Sequence, residues 1–164
     1  READIAIRNT EPTDPEMIAR RMPDAHAGLY AAPEFIERHG PFESLADLAR
    51  APFIGFGAQS TYIDALQQRQ VPVTEANFPI RSESHLVHWE LARRGLGLVA
   101  NGSMFGRMDD TLVPVLHDLL SFEFPIWLVA PSELRTSRRV RIVFDALAEA
   151  LDTRKSNDRG AKSA

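Results

Sequence analysis

Three times between Phe53 and Phe105, a short apolar run passes through small polar residues into a stretch with helical spacing. Phe53-Ile-Gly-Phe56 leads through Gly57-Ala-Gln-Ser-Thr61 into the helical Tyr62–Arg69. Ala76–Arg81 leads through Ser82-Glu-Ser84 into a helix with Leu86, Trp89 and Ala92 or Arg93 at helical spacing, closed by Gly95 as a left-handed cap. Leu96–Ala100 leads through Asn101-Gly-Ser103 into Met104 and Phe105. Strands that alternate with helices pair in parallel through right-handed crossovers, which predicts an α/β sheet. Small molecules bind such sheets outside the carboxyl ends of the strands, where the first helix amides are unpaired and the helix dipole is positive. The three polar loops are therefore expected along one edge, suited to a carboxylate or another anionic group.

The flanking segments extend this pattern. Asp4–Arg8 reads as a short strand covered on both faces, followed by the polar turn Asn9–Pro15. Met17–Met22 and Ala27–Ala31 read as two separate apolar pieces, and Pro33–His39 as a short helix that Gly40-Pro41 breaks. The Ser44 hydroxyl is expected to cap Leu45–Arg50 by accepting an amide bond. Pro79 removes a ladder donor, which favours an edge or a strand end for Ala76–Arg81. Thr111–Leu116 and Phe124–Ala130 are further strands. A helix from Thr136 or Ser137 places Val140, Val143, Phe144, Leu147 and Leu151 on its apolar face, with Arg138, Arg139 and Arg141 in solvent. Residues 153–164 have no apolar period and read as a disordered tail.

A chain of 164 residues with 44% hydrophobic content supports one domain or two small lobes. Its apolar runs are too short to cross a bilayer, and no membrane partner is expected. The lack of cysteine removes disulfides and thiolate chemistry and fits the cytoplasm, while also suiting the periplasm. A net charge of -4 argues against a nucleic-acid surface spread over these residues. His85 and His88 have helical spacing, but no second cluster completes a metal site; His26, His39 and His117 are isolated. No catalytic or nucleotide-binding motif is present, so neither an enzyme nor a cofactor is expected. A small hydrolase would have to assemble its site from scattered residues.

Six pieces in order carry a resemblance: Asp4-Ile-Ala-Ile-Arg8, Gly28-Leu-Tyr-Ala-Ala-Pro-Glu-Phe35, Arg38-His-Gly-Pro41, Gly95-Leu-Gly-Leu98, Pro125-Ile-Trp-Leu-Val129 and Ser137-Arg-Arg-Val-Arg141. Together they resemble the effector-binding domain of LysR-type transcriptional regulators, over nearly the whole chain up to Leu151. The resemblance implies a two-lobed, periplasmic-binding-protein-like fold, with a mostly parallel sheet flanked by helices. Residues 1–27 and 121–152 would be the remainder of subdomain I, which is incomplete in this chain, and 28–120 would be subdomain II. It further implies a small-molecule effector in the inter-lobe cleft, an organic acid or aromatic metabolite, and a homodimer or homotetramer. DNA would be bound only through an N-terminal winged helix-turn-helix domain of the full-length protein, whose transcription the effector modulates. A stand-alone periplasmic-type solute-binding protein is the alternative with the same fold.

Carried over by position, the effector contacts in the second lobe fall on Gly57, Ala58, Gln59, Ser60 and Thr61, and on Ser82, Glu83 and Ser84. Arg8, Asn9, Asn101 and Pro125 complete the set, at the first strand end, the third loop and the second crossing. Each has a structural rival: helix capping for Ser82 and Ser84, a turn and helix start for Gln59–Thr61, a surface ion pair for Arg8, and a common turn for Asn101-Gly102.

Overall fold

The structure is a computed structural model that describes residues 3–57 and 60–152, Ser60 by its backbone alone. Ala58, Gln59 and the tail expected after Asp152 lie outside the described residues. In chain order the elements are β1 (Ala6–Arg8), β2 (Met17–Ala31), α1 (Pro33–His39), β3 (Ile54–Gly55), α2 (Ser60–Gln67), β4 (Ile80–Arg81), α3 (His85–Arg93), β5 (Val99–Gly102), α4 (Ser103–Met108), β6 (Val113–Val115), β7 (Ser121–Pro131) and α5 (Arg138–Leu151). Short 3-10 turns occupy Leu45–Arg50, Glu75–Asn77 and Ser132–Thr136. Of the described residues, those up to Ala25 and from Glu123 onward form one compact unit, and His26–Phe122 form another.

In the first unit, β1 pairs antiparallel with β7, Ala6 opposite Val129 and Arg8 opposite Trp127. Met22, Ile126, Leu128 and Ala148 form a small core, against which Phe144, Leu147 and Leu151 pack. Two expectations change here. Among the described residues β1 pairs with β7 alone, and Ile7 is 48% exposed where a strand covered on both faces was expected. On α5, Phe144, Leu147, Ala148 and Leu151 follow one helical stripe, and Val143 lies beside it, 50% exposed. The two apolar pieces expected around Pro23 are one continuous strand, β2, because a proline removes only one donor and leaves the extended backbone intact.

The second unit holds the larger core, with Leu29, Phe35, Leu48, Phe53, Leu66 and Leu98 removed from solvent. β3 runs parallel to β4, Ile54 opposite Ile80, and Phe53 bridges in parallel to Leu98 on its other side. The Ile54 amide donates to the Leu98 carbonyl at 2.8 Å, and the Leu98 amide to Pro52 at 2.9 Å. Parallel pairing therefore appears where helices α2 and α3 provide the crossovers. The α/β class stands, but the parallel share is narrower than expected, since β2 pairs antiparallel with both β5 and β6. The same ladder corrects the third loop: Asn101 and Gly102 lie in β5 opposite Gly28 and Ala27, and Ser103 opens α4. Cross-strand bonds there override the turn preference of Asn-Gly.

Buried polar groups tie the unit together. Asn77, expected within a strand, sits in a 3-10 turn and donates from Nδ2 to the Ala49 carbonyl at 2.9 Å and the Ala51 carbonyl at 3.1 Å. Its Oδ1 accepts the Thr74 amide at 2.8 Å. Ser44 starts the turn at Leu45 in a capping box with Asp47, whose Oδ2 accepts from the Ser44 hydroxyl and amide at 2.9 and 2.8 Å. Gly95 adopts φ +67°, the left-handed conformation expected of the cap after α3, and Arg38 Nη2 donates to its carbonyl at 2.7 Å. Asp109 joins α3 to the segment after α4: it accepts the Trp89 indole N–H at 2.7 Å and the Thr111 amide at 2.9 Å.

Asn77→Ala leaves two carbonyls and an amide without their partner and should cost about 2–3 kcal/mol in denaturant unfolding. Bonds from Thr111 and then Trp89 hold the Asp109 carboxyl at about 2, below the ordinary 3.8. A depressed folded pKa contributes stability that is present above the unfolded value and is lost as pH falls through the folded one. Wild type should therefore lose stability between 3.8 and about 2, and Asp109→Asn should flatten that part of the profile, read by Trp89 fluorescence.

Candidate functional site

Because β3 and β4 lie side by side in parallel, their carboxyl ends bring Gly57 and Ser82–Ser84 together. The Gly57 amide donates to Glu83 Oε1 at 2.7 Å. A Cβ on Gly57 would overlap that oxygen, so the absence of a side chain permits the contact. Two of the loops selected from the sequence thus meet at one edge.

Ser82 is a local junction. Its amide donates to the Gly55 carbonyl at 2.9 Å, extending the parallel ladder one residue past β4. Its Oγ accepts the Ser84 amide at 3.2 Å. Its carbonyl lies 2.7 Å from His88 Nε2. A carbonyl can only accept, so Nε2 carries the proton of this imidazole. Ser84 is the cap of α3; its Oγ accepts from Val87 at a long 3.5 Å, while its carbonyl accepts the His88 amide at 3.0 Å. Capping, the rival reading for Ser84, is therefore realised, and the half-buried serine still stands at the edge beside Glu83.

Aromatic rings back this edge. Phe56 presents edge contacts to His88 at 4.7 Å, His85 at 5.1 Å and Tyr62 at 5.7 Å between ring centroids. Burial, and then the neighbouring His88, lower the His85 pKa, so its neutral form is favoured. Burial pushes the Tyr62 phenol up, and its hydroxyl has no hydrogen-bond partner among the described residues. The residues missed from the sequence are these rings. Phe56 was read only as the end of a strand, and the spacing of His85 and His88 was weighed only as a metal pair. Among the described residues, no group of three or more His, Asp or Glu is placed to hold a metal ion. The edge offers amide and hydroxyl donors, one carboxylate and an aromatic wall, a set suited to binding a small polar molecule.

The remaining candidates are dispersed. Thr61 is exposed on the first turn of α2, Ser60 begins that helix, and Ala58 and Gln59 fall outside the described residues. Asn101 is buried in β5, with Oδ1 accepting the Gly102 amide at 2.8 Å. Arg8, Asn9 and Pro125 belong to the first unit: Arg8 ends β1 opposite Trp127, Asn9 follows it exposed, and Pro125 is half-buried in β7.

Comparison with known proteins bears on this fold. The family described as the LysR substrate binding domain matches residues 1–152. DmlR of Escherichia coli K12, an HTH-type transcriptional regulator, is 27% identical over 160 residues, which cover 89% of this chain and 49% of DmlR. The chain thus spans about half the length of that curated relative. The regulatory domain of CrgA, a LysR-type transcriptional regulator from Neisseria meningitidis, has a TM-score of 0.75 at 22% identity, covering 92% of this chain and 76% of that one. The AmpR effector binding domain from Citrobacter freundii has a TM-score of 0.70 at 15% identity, covering 90% and 74%. The fold is therefore the periplasmic-binding-protein-like α/β fold of LysR regulatory domains. The stand-alone solute-binding protein considered from the sequence gives way, because the matched family is that of regulators, which is not an enzyme class. With its match running from the first residue to Asp152, the chain belongs to the LysR substrate-binding domain family.

Proposed function

We propose that this chain is the part of a LysR-type regulator that senses a small-molecule effector, and that the edge formed by Gly57 and Ser82–Ser84 contacts that effector. The observation that carries the reading is the bond from the Gly57 amide to Glu83, which joins the ends of two parallel strands where this sheet type takes its ligands. Ala58, Gln59, Ser60 and Thr61, like Arg8, Asn9, Asn101 and Pro125, are assigned to the effector by position in the family alone. The two compact units correspond in this proposal to the two subdomains.

The effector is a small organic acid or aromatic metabolite: the Gly57 amide and the serine hydroxyls at the edge serve its polar group, and the Phe56 cluster its apolar part. Glu83 already occupies the Gly57 amide, so an acidic effector must displace it. In the full-length protein, which acts in the cytoplasm as a homodimer or homotetramer, effector binding shifts the population between DNA-binding states through differential affinity. DNA contact belongs to the N-terminal helix-turn-helix domain. No helix among the described residues is long and apolar enough to cross a membrane.

Thermal unfolding against a panel of organic acids and aromatic metabolites tests the proposal. At about a hundredfold excess over Kd, a true effector should raise the midpoint by roughly 5–10 °C. Ser84→Ala and Gly57→Ala should abolish most of that rise. A rise of the same size in both variants would move the effector away from this edge.

A further inference from the structure

The first unit contains a cavity that the proposed function does not use. It has a volume of about 130 Å³ and is bounded by β2, β7, the turn Ser132–Thr136 and the start of α5. Ile18, Ala130, Leu134, Val140 and Phe144 give it an apolar lining. Arg135 and Arg141 stand at it from two different elements, both exposed. Neither makes an ion pair or a side-chain hydrogen bond among the described residues. We propose that this cavity is a second small-molecule site, which takes a carboxylate with a compact apolar tail.

Size, polarity and charge each narrow the ligand. An apolar protein cavity of roughly 150 Å³ stays dry and admits benzene; at about 130 Å³ this one suits a phenyl group or a short alkyl chain. The lining offers such a tail no hydrogen-bonding side chain besides the two arginines. Guanidinium is a planar fork that matches carboxylate geometry, and two that are unpaired among the described residues, beside a half-buried apolar lining, favour an anion over a neutral or cationic head. The chain carries a net charge of -4. Arg138 and Arg139, beside Arg141 at the start of α5, nevertheless add local positive charge, so loss of binding in a variant of the pair, and not retention alone, reports Arg135 and Arg141. All seven lining residues belong to the first unit, while Gly57 and Ser82–Ser84 belong to the second. This site stands or falls independently of the edge described above.

Titration of the isotope-labelled chain with sodium hexanoate, followed by amide chemical shifts, tests the assignment. Sodium acetate supplies the head without the tail, and hexanol the tail without the head. Hexanoate should perturb the amides of Ala130, Leu134 and Phe144 in a saturable manner and bind at least about tenfold more tightly than acetate or hexanol. Arg135→Gln with Arg141→Gln, both at exposed positions, should weaken hexanoate about tenfold or more without altering the unfolding midpoint appreciably. Ser84→Ala should leave hexanoate binding unchanged. Absence of saturable shifts in wild type, equal binding of hexanoate and hexanol, or full retention in the double variant would each overturn the proposal. Shifts lost in Ser84→Ala and kept in the arginine variant would place hexanoate at the second unit's edge, which would also overturn it.

Discussion

Everything positioned at the candidate site depends on the pairing of Phe53–Gly55. This short strand is buried and is flanked in parallel by Ile80–Arg81 on one side and Leu98 on the other. A buried strand must pair its backbone groups along both edges, because an unpaired amide or carbonyl away from water is costly. Meeting that requirement in parallel forces each return of the chain through a helix, and so delivers two loops to the same edge. Asn77 secures the arrangement from below, since its backbone carbonyl accepts the Phe53 amide while its side chain holds Ala49 and Ala51.

The chemistry of the edge follows from this constraint. Ser82 continues the ladder one residue beyond β4 through its amide bond to Gly55, and just past this pairing the loop residues bond across from one strand end to the other. Glu83 takes up the Gly57 amide, and the Ser82 carbonyl fixes the His88 ring, which stacks edgewise with Phe56. Binding here would thus be an exchange: a ligand carboxylate replaces Glu83 on the same donor. Exchange of like groups makes affinity depend on what else the ligand touches, and the ring cluster is the surface available for that contact.

The second unit was more legible in the sequence than the first. Its strand and helix periods, the glycine at position 95 and the polar residues after each strand all reflect local backbone demands, which residue type reveals. Non-local choices were not legible. Asn101-Gly102 prefers a turn in isolation but is held in β5 by Ala27 and Gly28, far away in sequence. Met17–Met22 and Ala27–Ala31 looked like separate pieces because the residues between them are not apolar, but pairing carries one strand through both. The spacing of α5 identified an apolar face, yet only the stripe over Ala148 finds a core to cover, leaving Val143 50% exposed. At the site itself, loop residues were readable from their position after strands. The aromatic backing was not, because Phe56, Tyr62, His85 and His88 converge only once the parallel pairs form.

The most direct measurement is amide chemical-shift mapping of the labelled chain with the organic acid that most raises its unfolding midpoint. The account predicts that the largest shifts fall on Gly57 and on Ser82, Glu83 and Ser84, with the Phe56 and His88 rings following. Saturable binding whose shifts leave these amides unmoved would contradict it.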